Sequence, residues 1–329
     1  MVKNKKIRFK NIWIIRSLAV DPDPRVMRQA MWLRSGGYCV EVRGWDREKA
    51  SKPIELVNGV KIVRFYAPGR FGKGIYNLFG LTVFNLRVFL ALLAGKPHIV
   101  HACDLDTAIP SLVYSKLTGA KFVYDIFDFY VDSRNTGFLR PMLKALERYV
   151  IKKSDTTILP HEGRLNQIGE LNDCIKKKIT VIYNSPDVPR KINIKERVGR
   201  GPDAKLVFVG SLYPDRGILT LIKAVSLLGD DIELVVAGFG PLATKLRELS
   251  KVTKNFRFLG KVQYEVALAL QAESLTIVAM YDPVVPNNRF AAPNKLFEAC
   301  MLGKSIITNS GTLLADIVQK HEIGMVVPY

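Results

Sequence analysis

A chain of 329 residues with 48% hydrophobic and 24% charged residues is long enough for two domains and too apolar to be disordered. Its net charge of +19 calls for an anionic partner: phosphate, an acidic membrane surface or nucleic acid. Cys39, Cys103, Cys174 and Cys300 lie far apart, which excludes a disulfide framework or a zinc-ligand spacing and predicts buried free thiols in a reducing compartment.

In chain order, the basic start "MVKNKKIRFK" leads into "NIWIIRSL", which reads as a strand and is too brief for a signal-peptide core, so secretion is not expected. "RVMRQAMWLRSGG" reads as a helix closed by Gly36 or Gly37. "YCVEVRGW", "VKIVRFY", "PHIVHA", "KFVYDIF" and "TTILP" read as strands, with helical stretches such as "PMLKALERYVIKKS" between several of them. "KKITVIYNSPDV" ends this series near Asn184, and the polar stretch 186–204 reads as a linker. Between the strands, 74–95 is very apolar with Arg87 as its one charge. It fits a helix packed on the domain, a helix in the membrane interface helped by Arg64, Arg70 and Lys73, or a span.

A second series follows: strands "LVFVGSL", "IELVVAG", "FRFLG", "LTIVAM", "SIITN" and "MVVPY", alternating with helices. Strand–helix alternation predicts two doubly wound α/β domains, 1–185 and 205–329, facing across a cleft, with ligands beyond the carboxyl ends of the strands. The chain ends straight after a strand, with no closing helix.

"NRFAAPNKLFEACMLGKSII" raises the first functional question. Pro293 is expected to open a helix that Gly303 stops, with Leu296, Phe297, Cys300 and Met301 on the core face. Lys295 then sits in the first turn, at the positive end of the helix dipole. A phosphate docked at that helix start would make the lysine favourable; the alternative is a surface ion pair with Glu298. In "FVGSLYPDRGILTL", Gly210 ends a strand, Asp215 is a plausible cap, and Arg216 repeats the misplaced cation. In "VVAGFGPLATKL", Gly238 and Gly240 would let backbone approach a ligand.

"VFVGSLYPDRGILTLIKAV", "IELVVAGFGP", "FRFLGKV" and "APNKLFEACMLGKSIITNSG" resemble, in order and spacing, the donor domain of retaining GT-B glycosyltransferases of family 4. "DPRVMRQAMWLRSGGYCVEV", "PHIVHACDLDTAIPSLVYSKLTGAKFVYDIFDFY" and "VIYNSPD" resemble the acceptor half more loosely. The resemblance implies a GT-B fold and transfer of a sugar, with retention, from a nucleotide-diphosphate donor to a glycan or polyprenyl-linked acceptor. It implies Arg216 and Lys295 on the diphosphate and Glu298 on the ribose. Gly210, Ser211, Gly238, Gly240, Gly260, Lys261 and Asn294 would be further donor contacts, and His101, Asp104, Asp125 and Asp128 would lie on the acceptor side. No metal or cofactor is expected. For Asp104 a helix cap, for Asp128 a solvated loop carboxylate, and for His101 a structural role are the competing readings.

The pattern also departs from the family. Phe290 stands where a first glutamate is common, Ser211 where an arginine is usual, and Phe127 and Asp128 at a histidine and a glutamate position. The family normally continues past "VVPY" with helices that cross back to the first domain. A catalytically inactive binding or membrane-docking module is therefore the alternative. The expected location is cytoplasmic, with a peripheral place at the inner membrane face as a further reading. No basic motif interleaved with stacking aromatics is found, so nucleic acid is not an expected partner.

Overall fold

The computed structural model describes residues 10–20, 23–69, 74–134, 136–186, 204–229 and 231–329. The linker expected at 186–204, the basic amino terminus, Arg70 and Lys73 lie almost wholly outside these. The chain divides into two compact units, Met1–Tyr183 and Asn184–Tyr329.

The strands of the first unit are β1 (Asn11–Arg16), β2 (Cys39–Asp46), β3 (Ile54–Val57), β4 (Val60–Tyr66), β5 (Ile99–Cys103), β6 (Lys121–Asp125), β7 (Thr156–Leu159) and β8 (Ile179–Val181). Its helices are α1 (Pro24–Ser35), α2 (Gly74–Gly95), α3 (Leu105–Thr118), α4 (Tyr130–Ser133), α5 (Arg140–Lys153), α6 (Leu165–Ile168) and α7 (Asp173–Lys176). The sheet order is β3-β4-β2-β1-β5-β6-β7-β8, parallel except where β3 returns antiparallel on β4. β3 was not expected. Its four residues, with Ile54 and Leu56 largely exposed, carry too short and too uncovered a pattern to read as a strand.

The second unit has β9 (Ala204–Ser211), β10 (Ile232–Phe239), β11 (Phe256–Gly260), β12 (Thr276–Ala279), β13 (Ser305–Asn309) and β14 (Gly324–Val327). Its helices are α8 (Ile218–Ser226), α9 (Ala243–Val252), α10 (Tyr264–Ala272), α11 (Pro286–Arg289), α12 (Asn294–Leu302) and α13 (Leu313–Lys320). The sheet is all parallel in the order β11-β10-β9-β12-β13-β14. Each unit is thus a Rossmann-like layer whose strand order reverses once, between β1 and β5 in the first and between β9 and β12 in the second. Such reversals open a crevice at the carboxyl ends of the two diverging strands.

The strands are buried on both faces, which is why they read as near-continuous apolar runs. Ile14, Val42 and Ile62 pack under α1, whereas Ile15, Trp45 and Val100 pack against Phe84, Val88 and Leu92 of α2. In the second unit Phe208, Leu234 and Val236 pack against Ile218 and Ile222 of α8. The thiol expectation is corrected: only Cys103 is buried, and Cys39, Cys174 and Cys300 are exposed.

Candidate functional site

The loops that leave β9 and β12 meet at the reversal point of the second sheet. After β9 the chain makes a tight turn over Pro214–Arg216 and enters α8 through Gly217, which takes φ 61° at the cap position. Asp215 is therefore not the helix cap, a correction to the expected role. A residue with positive φ is needed there, and glycine adopts it without strain. Asp215 instead accepts from Asn288 Nδ2 at 2.9 Å and lies 3.3 Å from Arg216 Nη1. Arg216 also donates to Asn288 Oδ1 at 2.8 Å. Asn288, 2% exposed, so ties the two loops together, helped by the backbone bond from Asp282 to Asp215.

Helix α12 starts at Asn294, with Pro293 at its cap and Gly303, φ 63°, closing it. Neither Pro293 nor Gly217 offers a capping side chain, and neither α12 nor α8 has an acid in its first turn. Their first N–H groups are left with the positive end of the dipole. Lys295 is 7% exposed. Its ammonium lies 3.7 Å from the Phe208 ring centroid and 5.7 Å from that of Tyr281, and the Arg216 guanidinium sits 4.5 Å from the same Tyr281 ring. No described carboxylate is within ion-pair distance of Lys295. Burial, reinforced by repulsion from Arg216 and only partly opposed by Glu298, lowers its pKa to about 7.

The surface ion pair considered for Lys295 and Glu298 is not formed. Glu298 is buried and accepts from Tyr264 Oη at 3.2 Å and Gln271 Nε2 at 3.0 Å. Of the expected core face, Leu296 is buried and Phe297 packs against the core, but Cys300 is exposed and Met301 half-buried, and Lys295, Glu298 and Ala299 are buried in their place. Cys300 is exposed because α12 also packs on α10, which rotates the covered face toward Glu298.

The glycines make room. At Gly210, φ 149°, a Cβ would come within 3.3 Å of Lys295 Cε. At Gly238, φ 150°, it would lie 1.8 Å from the Gly210 carbonyl oxygen, and at Gly240 it would lie 2.8 Å from that of Leu212. Ser211 and Phe239 pair at the ends of β9 and β10. Gly260, φ 70°, has open space around it, and Lys261 Nζ is 6.0 Å from the Phe239 ring, one strand farther out. Asn294 is half-buried at the start of α12 and Phe290 ends α11. The structure therefore gathers Arg216, Lys295, Gly210 and Gly238 closely, with Glu298 behind them. Sequence reasoning missed Asn288, Tyr281 and Asn309. Asn309 holds the Tyr281 backbone from both sides, at 2.7 and 2.8 Å.

The reversal point of the first sheet is also charged, but its charges are matched. Asp104, φ 62°, occupies the cap position of α3 without capping it. Its carboxylate accepts from the N–H groups of Phe127 (2.8 Å) and Asp128 (3.2 Å) and from Arg16. Asp125 is fully buried and engaged by Arg25, Gln29 and His101, the last at 3.1 Å. Burial alone would raise its pKa; Arg25 and His101 hold it below the usual carboxylate range. The guanidinium groups of Arg16 and Arg25 both lie over one ring, that of Phe127, 4.2 and 4.1 Å from its centroid. Asp128 is half exposed and pairs with Arg164 at 3.0 Å. The cap reading of Asp104 and an acceptor-facing Asp125 are thus both corrected: long-range partners have claimed these carboxylates.

The folded chain also brings donor atoms of His101, Cys103 and Asp125 within 4.8 Å of one another, a group that sequence spacing does not reveal. Burial pushes the Cys103 thiol well up, and the Asp125 oxygens already have three partners. This group reads as a hydrogen-bonded core network.

The family model for glycosyl transferases group 1 matches residues 203–329, and that for the glycosyl transferase 4-like domain matches residues 22–185. The chain belongs to the group 1 glycosyltransferases. Its two Rossmann-like units have the GT-B fold. Over 199 residues the chain is 27% identical to the glycogen synthase of Mycobacterium tuberculosis, covering 57% of this chain and 48% of that one. Over 321 residues it is 23% identical to the succinoglycan biosynthesis protein ExoL of Rhizobium meliloti, covering 93% and 78%. The chain spans about half the length of the first of these relatives. Among solved structures, sucrose-phosphate synthase from Thermosynechococcus elongatus matches with a TM-score of 0.75 at 14% identity, covering 97% of this chain and 86% of that one. Anabaena HepE, solved in complex with UDP and glucose, matches with 0.69 at 13% identity, covering 97% and 86%.

Proposed function

We propose that this group 1 glycosyltransferase moves a sugar, with retention, from a nucleotide-diphosphate donor to a glycan or lipid-linked acceptor. The observation that carries the reading is the pairing of Arg216 and Lys295 at the reversal point of the second sheet, beside two uncapped helix starts. Two cations pressed together without a matching carboxylate for Lys295 are unfavourable until an anion arrives. A diphosphate supplies two negative groups at that spot, and its charge grows as the glycosidic bond to it breaks. Preorganised cations and N–H groups stabilise such developing charge and need no metal to do so. Gly210 leaves room for the Lys295 side chain and Gly238 for the backbone of Gly210, which together hold the ammonium at this spot, and Glu298 is the group for the ribose hydroxyls. Its fixed hydrogen bonds to Tyr264 and Gln271 orient its carboxylate. The amino-terminal unit would hold the acceptor, whose hydroxyl proton passes to the departing phosphate.

The co-crystallised UDP of HepE and the names of the relatives, a glycogen synthase and a succinoglycan biosynthesis protein, support this class of donor and acceptor. Thermal-shift titration with UDP-, ADP- and GDP-sugars tests it, because a ligand that binds only the folded state raises Tm. At least one should shift Tm in the native chain and none should in Arg216→Ala/Lys295→Met. Turnover, followed by NMR of the product anomer, then separates a retaining enzyme from an inactive binding module; Phe290 in place of a glutamate is the feature that favours the second.

A further inference from the structure

The outer surface of the first unit carries an apolar and basic face that the transfer reaction does not use. Helix α2 is 22 residues long, and its segment Asn77–Gly95 is long and apolar enough to cross a membrane. Yet Phe84, Val88 and Leu92, spaced by four, are buried in the core with Trp13, Trp45 and Tyr114. The helix is therefore part of the unit and cannot leave it without exposing that stripe. Its opposite side is also largely apolar: Leu78, Phe79, Leu86 and Leu90 are 56–67% exposed, with Thr82 among them and Arg87 also exposed. A surface helix of a water-bounded domain would carry polar residues there.

Helices α2, α3 and α5 connect strands that advance in one direction along the sheet, so right-handed crossovers put all three on the same face. α3 packs between the other two. It continues the apolar surface with Ile109, Val113 and Leu117, again spaced by four and 40–68% exposed. On α5, Lys144, Arg148 and Lys152 form an exposed basic stripe at the same spacing. The acids of these three helices are Asp106 and Glu147, and both are buried, bonded to Ser17 and Arg134 and to Tyr124 respectively. The face thus offers large apolar side chains flanked by cations and no exposed carboxylate.

We propose that the outer faces of α2, α3 and α5 dock in the plane of an anionic lipid bilayer. Leu78, Phe79, Leu86 and Leu90 enter the interface, and Lys144, Arg148 and Lys152 meet the headgroup phosphates. Apolar area and cations together are what an interfacial surface needs, and contiguous apolar patches of this kind mark interaction sites. The absence of exposed acid across three helices is what selects an anionic surface.

Flotation of the full chain with lipid vesicles tests this independently of sugar transfer. The chain should float with phosphatidylcholine vesicles that contain phosphatidylglycerol and far less with phosphatidylcholine alone, and salt should release it. Lys144→Gln/Arg148→Gln/Lys152→Gln should lower anionic-vesicle partitioning about a hundredfold. Leu86→Glu/Leu90→Glu, at exposed positions, should abolish flotation while the circular dichroism spectrum is kept. The proposal is overturned if the native chain stays unbound with anionic vesicles, or if the Leu86/Leu90 variant floats as the native chain does. It is equally overturned if light scattering shows a dimer that the same variant converts to monomer while vesicles bind neither, because a second copy then covers the face.

Discussion

At the reversal point of the first sheet, Arg16 is held by Asp23 and Asp104, Arg25 by Asp125, and Asp23 caps α1. At the reversal point of the second, Lys295 has no carboxylate partner among the described residues, Arg216 stands beside it on Tyr281, and neither α8 nor α12 has a capping side chain. The two regions use the same topology and the same kinds of side chain. In the first, opposite charges close on one another and brace the loops. In the second, Arg216 has Asp215 beside it but the neighbouring Lys295 and the two helix starts are left without an acidic partner among the described residues, which is an arrangement stable only at a net expense elsewhere in the fold. That difference distinguishes a structural charge network from an anion site better than the presence of arginines and lysines does.

The contrast can be broken most severely at Asp125. Asp125→Ala removes the fully buried carboxylate that Arg25, Gln29 and His101 engage, and urea unfolding should show a loss of about 3 to 5 kcal/mol. Nothing of that size is expected at Lys295, where Lys295→Met removes an unmatched buried cation and should leave the free protein as stable or more stable. The effect there falls on binding: with Arg216→Ala added, nucleoside diphosphate affinity should drop about a hundredfold or more by calorimetry.

Gly238→Ala sharpens the comparison at the backbone. A Cβ 1.8 Å from the Gly210 oxygen at φ 150° must push β9 and β10 apart, lowering stability by about 1 to 3 kcal/mol and weakening donor binding with it. A further effect concerns pH. The Lys295 ammonium holds its proton up to its ordinary value of 10.5 in the unfolded chain and loses it near 7 in the folded one. The unfolded state therefore binds more protons between those values, so ligand-free stability should rise with pH across that window, and the rise should be flatter in Lys295→Met.

Much of this was readable before the fold was known. Pro293 and Gly303 bracket α12, and Lys295 two residues past the proline is a local anomaly that needs no tertiary information to notice. The alternating apolar runs mark the strands for the same reason, with β3 lost to its length. What could not be read was partnership across the chain. Arg25 finds Asp125 at a separation of 100 residues, and Arg216 finds Asn288 at 72. Asp104 and Asp125 look like free carboxylates in the sequence because the residues that occupy them are distant. Asp215 was misread as a cap because Asp is favoured there, while Gly217 provides the positive φ that the turn requires.

The central claim is that Lys295, with no matching carboxylate among the described residues and its pKa lowered to about 7, regains its full charge only when an anion binds. Calorimetric titration of UDP, ADP or GDP at pH 8, in two buffers of different ionisation enthalpy, counts the protons exchanged on binding. The native chain should take up nearly one proton as the diphosphate restores the lysine charge, and Lys295→Met should take up none. Equal proton exchange in the two proteins, with affinity unchanged, would contradict the account.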